Sequence, residues 1–201
     1  MKWIVTTSDN YHHCLPVFFR QWEKHVNLPC ELVGYKRPDN LPDYCNFVSL
    51  GVQRDSSWFT VDLRKYFSQQ PDFFVWVMED TFIKGFDVNR FNDACEFVKQ
   101  YPLIGKFCLT NEAMKREHDT TKKLFIVDQY SYYRLSSQPA IWNKKYLVWS
   151  MRRKMNVWRW EKQYSTKDKW QLVGFQKNVI EHNEGVRKDD INKLNLDGIE
   201  L

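Results

Sequence analysis

Apolar and polar positions change rhythm several times along this 201-residue chain, and each change marks an element. Lys2 to Thr7 reads as a short strand. Leu15, Phe18, Phe19, Trp22 and Val26 recur at helical spacing and predict an amphipathic helix from Leu15 to Val26. Cys30 to Tyr35 reads as a second strand, and the order strand, helix, strand implies a parallel pairing. A Pro-rich connector, Arg37 to Pro42, leads to a short strand at Asn46 to Leu50, after which Ser56 can cap a helix from Ser57 to about Gln69. The run Phe73-Phe74-Val75-Trp76-Val77-Met78 is apolar without a break, the pattern of a strand buried on both faces, and Glu79-Asp80 follows at its carboxyl end.

Asp87 opens a helix through Gln100 that Tyr101-Pro102 closes, and Leu103 to Thr110 and Leu124 to Val127 read as further strands. Between them Asn111 to Lys123 is charged and aperiodic, a loop and a candidate lid. Tyr132 to Ser137 alternates like a strand. Gln138-Pro139-Ala140-Ile141-Trp142 reads as a stiff turn into a basic helix from Asn143 to Met155, followed by a tryptophan-rich stretch from Asn156 to Ser165. Trp170 to Phe175 and Asn178 to Glu181 read as short strands. The whole predicts an α/β domain with a mostly parallel sheet over residues 1–186, split into halves 1–110 and 111–186, and a polar tail at 187–201.

Composition narrows the class. With 43% apolar residues the chain buries a real core, and its five cysteines, Cys14, Cys30, Cys45, Cys95 and Cys108, are scattered without a CxxC pair. They fit reduced core thiols of a cytoplasmic protein. No apolar window approaches the ~18 residues that span a bilayer. The net charge of +5 is modest but uneven: Lys144, Lys145, Arg152, Arg153, Lys154, Arg159, Lys162, Lys167 and Lys169 share one region with Trp142, Trp149, Trp158, Trp160 and Trp170. Cations among large rings suit a polyanion or a sugar, or simply an amphipathic helix with its charges in water.

Several chemistries are excluded by motif. No GxxxxGK[ST] loop, GxGxxG turn or GxSxG elbow occurs, and the seven scattered glycines build no Gly-rich phosphate cradle. His12-His13 lacks zinc-site spacing and reads as a loop pair. Adjacent acids at the tip of a core strand are either an ordinary strand-to-turn junction or, where desolvated, the seat of a divalent cation carrying phosphate.

The order of Thr6-Thr7-Ser8-Asp9 ending the first strand, Ser56-Ser57-Trp58-Phe59 opening a helix, Met78-Glu79-Asp80-Thr81-Phe82-Ile83, and Ser137-Gln138-Pro139-Ala140-Ile141-Trp142-Asn143 resembles small nucleotide-sugar glycosyltransferases of bacteria and their phages, which share the GT-A fold. Asn156-Val157-Trp158-Arg159-Trp160-Glu161, ending in Ser165, stands where those proteins carry an "NPWxxE…GS" segment. The resemblance covers Trp3 to Glu184 and implies a single GT-A-like domain. It makes Glu79-Asp80 the counterpart of a DxD-like motif, with Asp80 ligating Mn²⁺ or Mg²⁺ beneath the diphosphate of a nucleotide sugar, a UDP-sugar foremost. Thr6, Ser8 and Asp9 would line the nucleoside, and Asp55, Ser57 and Trp58 would contact ribose or sugar. His182 would add a metal or phosphate contact, and Arg187 or Lys188 could neutralise phosphate.

For inverting transfer a carboxylate must take the acceptor proton. Glu161, set among aromatic residues, is the candidate, with Asp128 in reserve; Arg159 stands where the resembling proteins often have an acid. Gln138, Trp142 and Trp160 would shape the acceptor pocket, Trp142 doubling as a possible core anchor. The implied activity is metal-dependent transfer of a hexosyl or pentosyl group to a hydroxyl of a saccharide, a glycolipid or a hydroxylated base in phage DNA, in the cytoplasm of a bacterium or of a phage-infected host. The alternative is a non-catalytic nucleic-acid-binding protein that uses the basic, aromatic second half.

Overall fold

The computed structural model describes residues 1–111, 116–119, 123–163, 169–187 and 190–199, with the backbone course alone for 116–119, 187 and 190–192. The chain opens with β1 (Lys2–Thr6), a 3-10 turn at Asp9–Cys14 and α1 (Leu15–His25), then β2 (Cys30–Gly34) and β3 (Cys45–Ser49). A second 3-10 turn, Ser56–Trp58, leads into α2 (Phe59–Phe67), followed by β4 (Phe73–Met78), β5 (Thr81–Phe86), α3 (Val88–Gln100) and β6 (Ile104–Cys108). The second half holds β7 (Arg116–Asp119), β8 (Leu124–Val127), β9 (Ala140–Asn143), α4 (Lys144–Ser150), α5 (Val157–Glu161), β10 (Gln171–Phe175), β11 (Ile180–Glu184), β12 (Val186–Arg187) and β13 (Asp190–Leu194).

One nine-stranded sheet in the order β3-β2-β1-β4-β9-β6-β10-β8-β7 draws on both halves of the chain. Strands β3, β2, β1 and β4 are mutually parallel, as are β6 and β10, and only β9 and β8 run against the rest. The alternation of side chains along β1 and β4 explains the two-sided core. Trp3, Val5, Val75 and Val77 face α1 and α3, whereas Ile4, Phe74 and Trp76 face the layer of α2, α4 and α5. The apolar stripe of α1 is buried along its length, and Asn27, at φ 49°, ends the helix in the left-handed region by donating its N–H to Trp22 O at 2.8 Å.

Where the structure departs from the sequence pattern, tertiary partners decide. Ala140–Asn143 is a wholly buried strand between β4 and β6, not part of a turn, and Pro139 stands just ahead of it, where no ladder N–H is lost. The helix expected to Met155 stops at Ser150, because residues beyond are latched to α2. Thr60 Oγ1 donates to Arg153 O at 2.7 Å and accepts from Met155 N at 2.9 Å. Tyr132 to Ser137 is a chain of turns instead of a strand, with Tyr133 at φ 64°. Cations pin that stretch to the sheet: Arg134 donates to Val127 O and Trp170 O, and buried Lys106 donates to Ser136 O at 2.6 Å. Where Ser56 was expected to cap the second helix, Asp55 caps the 3-10 turn that leads into α2, accepting from Ser57 N at 2.9 Å. The terminal stretch expected as a polar tail holds β12 and β13, and Leu194, Leu196 and Ile199 pack on the core. Within the segment expected as a lid, Arg116–Asp119 pairs with β8; residues 112–115 and 120–122, like Ser165, Lys167 and Lys188, lie outside the described residues.

Candidate active site at the carboxyl edge of the sheet

The carboxyl ends of β1, β2, β3, β4 and β6 share one edge, and β9 enters the sheet from it. In open α/β sheets such an edge is where ligands bind. Glu79 follows β4 directly and is tied to β1 twice: its N–H donates to Thr6 O at 3.2 Å, and its Oε1 accepts from Ser8 N at 3.1 Å. The residue is 2% exposed, and its Oε2 is buried with no hydrogen-bond partner among the described residues. Burial first, and then the neighbouring Asp80 charge, push Glu79 up to about 8. Asp80 is pushed up to about 6, by burial above all and by the charges of Glu184 and Glu161. Four acids therefore share one field.

The opposing walls follow from topology. Strand β11 lies antiparallel to β5 and sets Glu184 opposite Thr81, and Gly185 N donates to Asp80 O. A Cβ on Gly185 would stand 2.7 Å from that oxygen and 2.7 Å from the Phe82 ring, so only glycine allows this approach. On another side, the 3-10 turn Asp9–Cys14 presents Tyr11 and Cys14. Burial and the Glu79 and Asp80 charges raise Tyr11 above its ordinary value and carry Cys14 to about 12.

Glu161 closes α5, whose first turn is capped by Asn156 accepting from Arg159 N at 2.9 Å. Its Oε1 accepts from Ser137 N at 2.7 Å and Ser137 Oγ at 2.5 Å, which fixes a carboxylate whose charge acts on Asp80. Gln138 sits next in the chain, its Oε1 accepting from Thr110 Oγ1 at 2.8 Å at the end of β6. Across the edge, Asp9 N donates to Gln53 Oε1 at 2.7 Å and Asp9 Oδ1 accepts from Lys36 N at 3.0 Å, joining the loops after β1, β2 and β3. Asp55 accepts from Ser57 N and Oγ, bonds that hold its carboxyl below the usual range with help from Lys154. Arg54 lies 3.5 Å and Lys154 4.0 Å from the Trp58 ring centroid, so that ring carries cations.

Ser8, Asp9, Asp55, Ser57, Trp58, Glu79, Asp80, Gln138 and Glu161 thus come to this edge. Thr6 does not line a cleft: it is buried, and its Oγ1 accepts from Trp76 Nε1 at 2.8 Å. Trp142 and Trp160 are fully buried against Trp76 and offer no acceptor surface. Asp128 is set apart, because β8 runs against β10 and its end points to the far edge; there Asp128 Oδ1 accepts from Tyr130 N at 2.7 Å. His182 stands on β11 opposite Ile83, two residue pairs away from Glu184. Arg187 lies in β12. Sequence reasoning missed Glu184, Tyr11 and Ser137; for Glu184 the signal was its place two residues after His182, on the same side of a strand.

No family model and no curated protein matches the chain. Solved structures do resemble it. TarS of S. aureus, residues 1–349, superposes with a TM-score of 0.53 at 12% identity over 90% of this chain and 59% of that one. CMP:2-keto-3-deoxy-manno-octonic acid synthetase complexed with CTP superposes with a TM-score of 0.52 at 6% identity, over 91% and 92% of the two chains. The galactosyltransferase LgtC in complex with donor and acceptor sugar analogs gives 0.44 at 13% identity, over 82% and 65%. At these identities the likeness establishes the fold, a GT-A-like, Rossmann-related sheet flanked by helices. Among the described residues, no helix is long and apolar enough to cross a membrane.

Proposed function

We propose that this chain is a glycosyltransferase that moves one sugar from a nucleotide-diphosphate donor, a UDP-sugar foremost, to an acceptor hydroxyl of a saccharide, a glycolipid or a hydroxylated base in DNA, within the cytoplasm of a bacterium or phage-infected cell. The observation that carries this reading is that two acids share the ligand-binding edge and one electrostatic field: Asp80, in the turn that follows β4, and Glu161, fixed by Ser137. A fold likeness that includes a CTP-bound synthetase leaves the direction of the chemistry to the site. Two acids in different settings suit transfer: one for the donor phosphates, one for a proton.

Among the described residues no three His, Cys, Asp or Glu side chains converge as a ready cation cage. The donors present still fit Mg²⁺ or Mn²⁺: hard carboxylate oxygens, a buried Glu79 oxygen without a partner, and an Asp80 pressed by two further acids. Asp80 would hold the cation, with His182 as a further contact, and phosphate oxygens and water would complete the shell. When bound, the cation supplies Lewis-acid stabilisation of the departing nucleoside diphosphate. Ser8 and Asp9 with Gln53 would receive the nucleoside, and Asp55, Ser57 and Trp58 the ribose or sugar. With Ser137 engaging one oxygen of Glu161, the carboxylate would take the acceptor proton through its other oxygen as that hydroxyl attacks the sugar carbon. Gln138 would orient the acceptor.

A thermal-shift screen of UDP-, GDP-, TDP- and CMP-linked sugars, each with and without Mn²⁺, tests the assignment. At a hundred times its Kd a ligand stabilises the fold by about 2.7 kcal/mol. One nucleotide class is expected to raise Tm by several degrees, and only with the metal; flat melting curves across the panel would refute the reading.

A further inference from the structure

A second surface begins where the acidic corner ends. On α5, Trp158 lies three residues before Glu161 and four before Lys162, so an open ring, the candidate base and a cation share one helical face. Trp158 is 55% exposed and Tyr132 59%. Lys162 Nζ stands 5.8 Å from both the Tyr132 and the Tyr133 ring centroids, which joins α5 to the turns before β9. On the other side of α5 the chain passes through exposed Arg152, Arg153 and Lys154, latched by Thr60 to the start of α2, and reaches Trp58 through Lys154. Arg152 lies 4.5 Å from the Trp149 centroid. Arg159 is exposed within the same strip. Among the described residues the facing acids are few: Asp62 is paired with Arg54, Asp55 is engaged by Ser57, Glu161 is held by Ser137, and Asp128, close to Tyr132 in the chain, accepts from Tyr130 N.

We propose that this strip docks single-stranded nucleic acid, with phosphates held by the cations and unpaired bases stacked on Trp158 and Tyr132. The charge decides against a neutral saccharide, which would leave the cations of the strip without partners. The open rings decide against a duplex, whose bases are already stacked; base–aromatic stacking rewards only bases freed from a helix, by about 1–3 kcal/mol each. Docking stands by itself. That the strand then offers its acceptor hydroxyl to Glu161 rests on the transferase reading.

Fluorescence anisotropy of the full chain tests the docking with three probes of matched length: a mixed-sequence single-stranded DNA, its duplex, and a labelled sulfated polysaccharide. The single strand is expected to bind about 10-fold or more tighter than the duplex, with a log–log salt slope of about −2 or steeper. Changing Arg152→Gln, Arg153→Gln and Arg159→Gln together should weaken the strand about 10-fold or more and flatten that slope, since each phosphate contact contributes about −0.7 to it. Trp158→Ala should weaken the single strand about 5-fold or more while leaving the slope unchanged. Equal binding of the sulfated polysaccharide, duplex binding as tight as that of the single strand, or indifference to Trp158→Ala would each overturn the proposal. The unaltered protein, assayed also for Mn²⁺-dependent nucleotide-sugar thermal shift, separates the two readings: a shift with no strand binding overturns only the docking, and strand binding with no shift supports docking while it removes the transferase.

Discussion

The acidic corner and the cationic strip meet at Glu161 and are built by opposite physics. In the corner, Glu79 is buried and tied to Ser8, and the charges act through a medium of low polarity. In the strip, Trp158, Arg159 and Lys162 stand in water, where salt screens each charge and no single one carries much. The corner should therefore respond sharply to one atom and to pH, and the strip to the number of charges and to salt. On the roles proposed for them, the difference separates a site for chemistry from a surface for holding.

Removing the central carboxylate gives the largest contrast. Asp80→Ala should reduce sugar transfer by about 10³-fold or more and abolish Mn²⁺-dependent nucleotide binding. A pure nucleic-acid binder would lose nothing, and anisotropy with DNA should show affinity held or raised as a negative charge leaves the neighbourhood. Equal transfer by variant and parent would break the division between corner and strip.

Tryptophan substitutions on α5 sharpen it next. Trp160 is fully buried against Trp76 and donates to Ser150 Oγ at 3.1 Å, so Trp160→Ala should destabilise the fold by about 3–5 kcal/mol. Its neighbour Trp158 is exposed, and Trp158→Ala should change stability by under ~0.5 kcal/mol in chemical denaturation. Similar losses for the two would contradict the assignment of one ring to the core and the other to solvent.

The pH dependence of stability tests the corner without any substrate. Glu79 rises from an ordinary 4.5 to about 8 and Asp80 from 3.8 to about 6, so the folded state favours their protonated forms. The associated stability is present in full below about pH 4 and is lost as pH rises through 6 and then 8. In chelator, the unfolding free energies from chemical denaturation at pH 5 and pH 9 should differ by roughly 1–3 kcal/mol, lower at pH 9. Glu79→Gln should flatten most of that slope. A profile that rises over the same range and is untouched by the substitution would contradict the buried placement.

The smallest effect concerns the support of Glu161. Ser137→Ala removes the 2.5 Å hydroxyl bond and leaves the backbone N–H bond at 2.7 Å, so transfer should fall by about 10-fold, in kcat more than in KM. A change confined to KM would assign Ser137 to binding.

The two halves of the chain were unequally legible. Strands β1, β2, β3 and β4 and helices α1 and α3 follow the apolar rhythm closely, because each buries a local pattern against a parallel sheet. From Tyr132 to Met155 the rhythm misleads, because buried Lys106 and Arg134 satisfy backbone carbonyls of turns and Thr60 latches the chain beyond α4. No local pattern encodes partners so distant in sequence. The same holds at the site. Glu79 and Asp80 announce themselves at the tip of a core strand, and Glu161 by its aromatic neighbours, whereas Glu184 and Tyr11 join only when β11 folds back on β5 and the first loop crosses the edge. Trp160 was read for its ring alone and Trp142 both as an acceptor ring and as a core anchor; burial gives both to the core.

The central claim is that Asp80 holds a cation and, through it, a nucleotide sugar. Crystals grown with Mn²⁺ and the donor that gives the largest thermal shift test it through anomalous scattering at the manganese edge. A peak is expected at coordination distance, about 2.0–2.2 Å, from a carboxylate oxygen of Asp80, with the diphosphate on its other side. A donor bound elsewhere, or a metal peak away from Asp80, would contradict that claim.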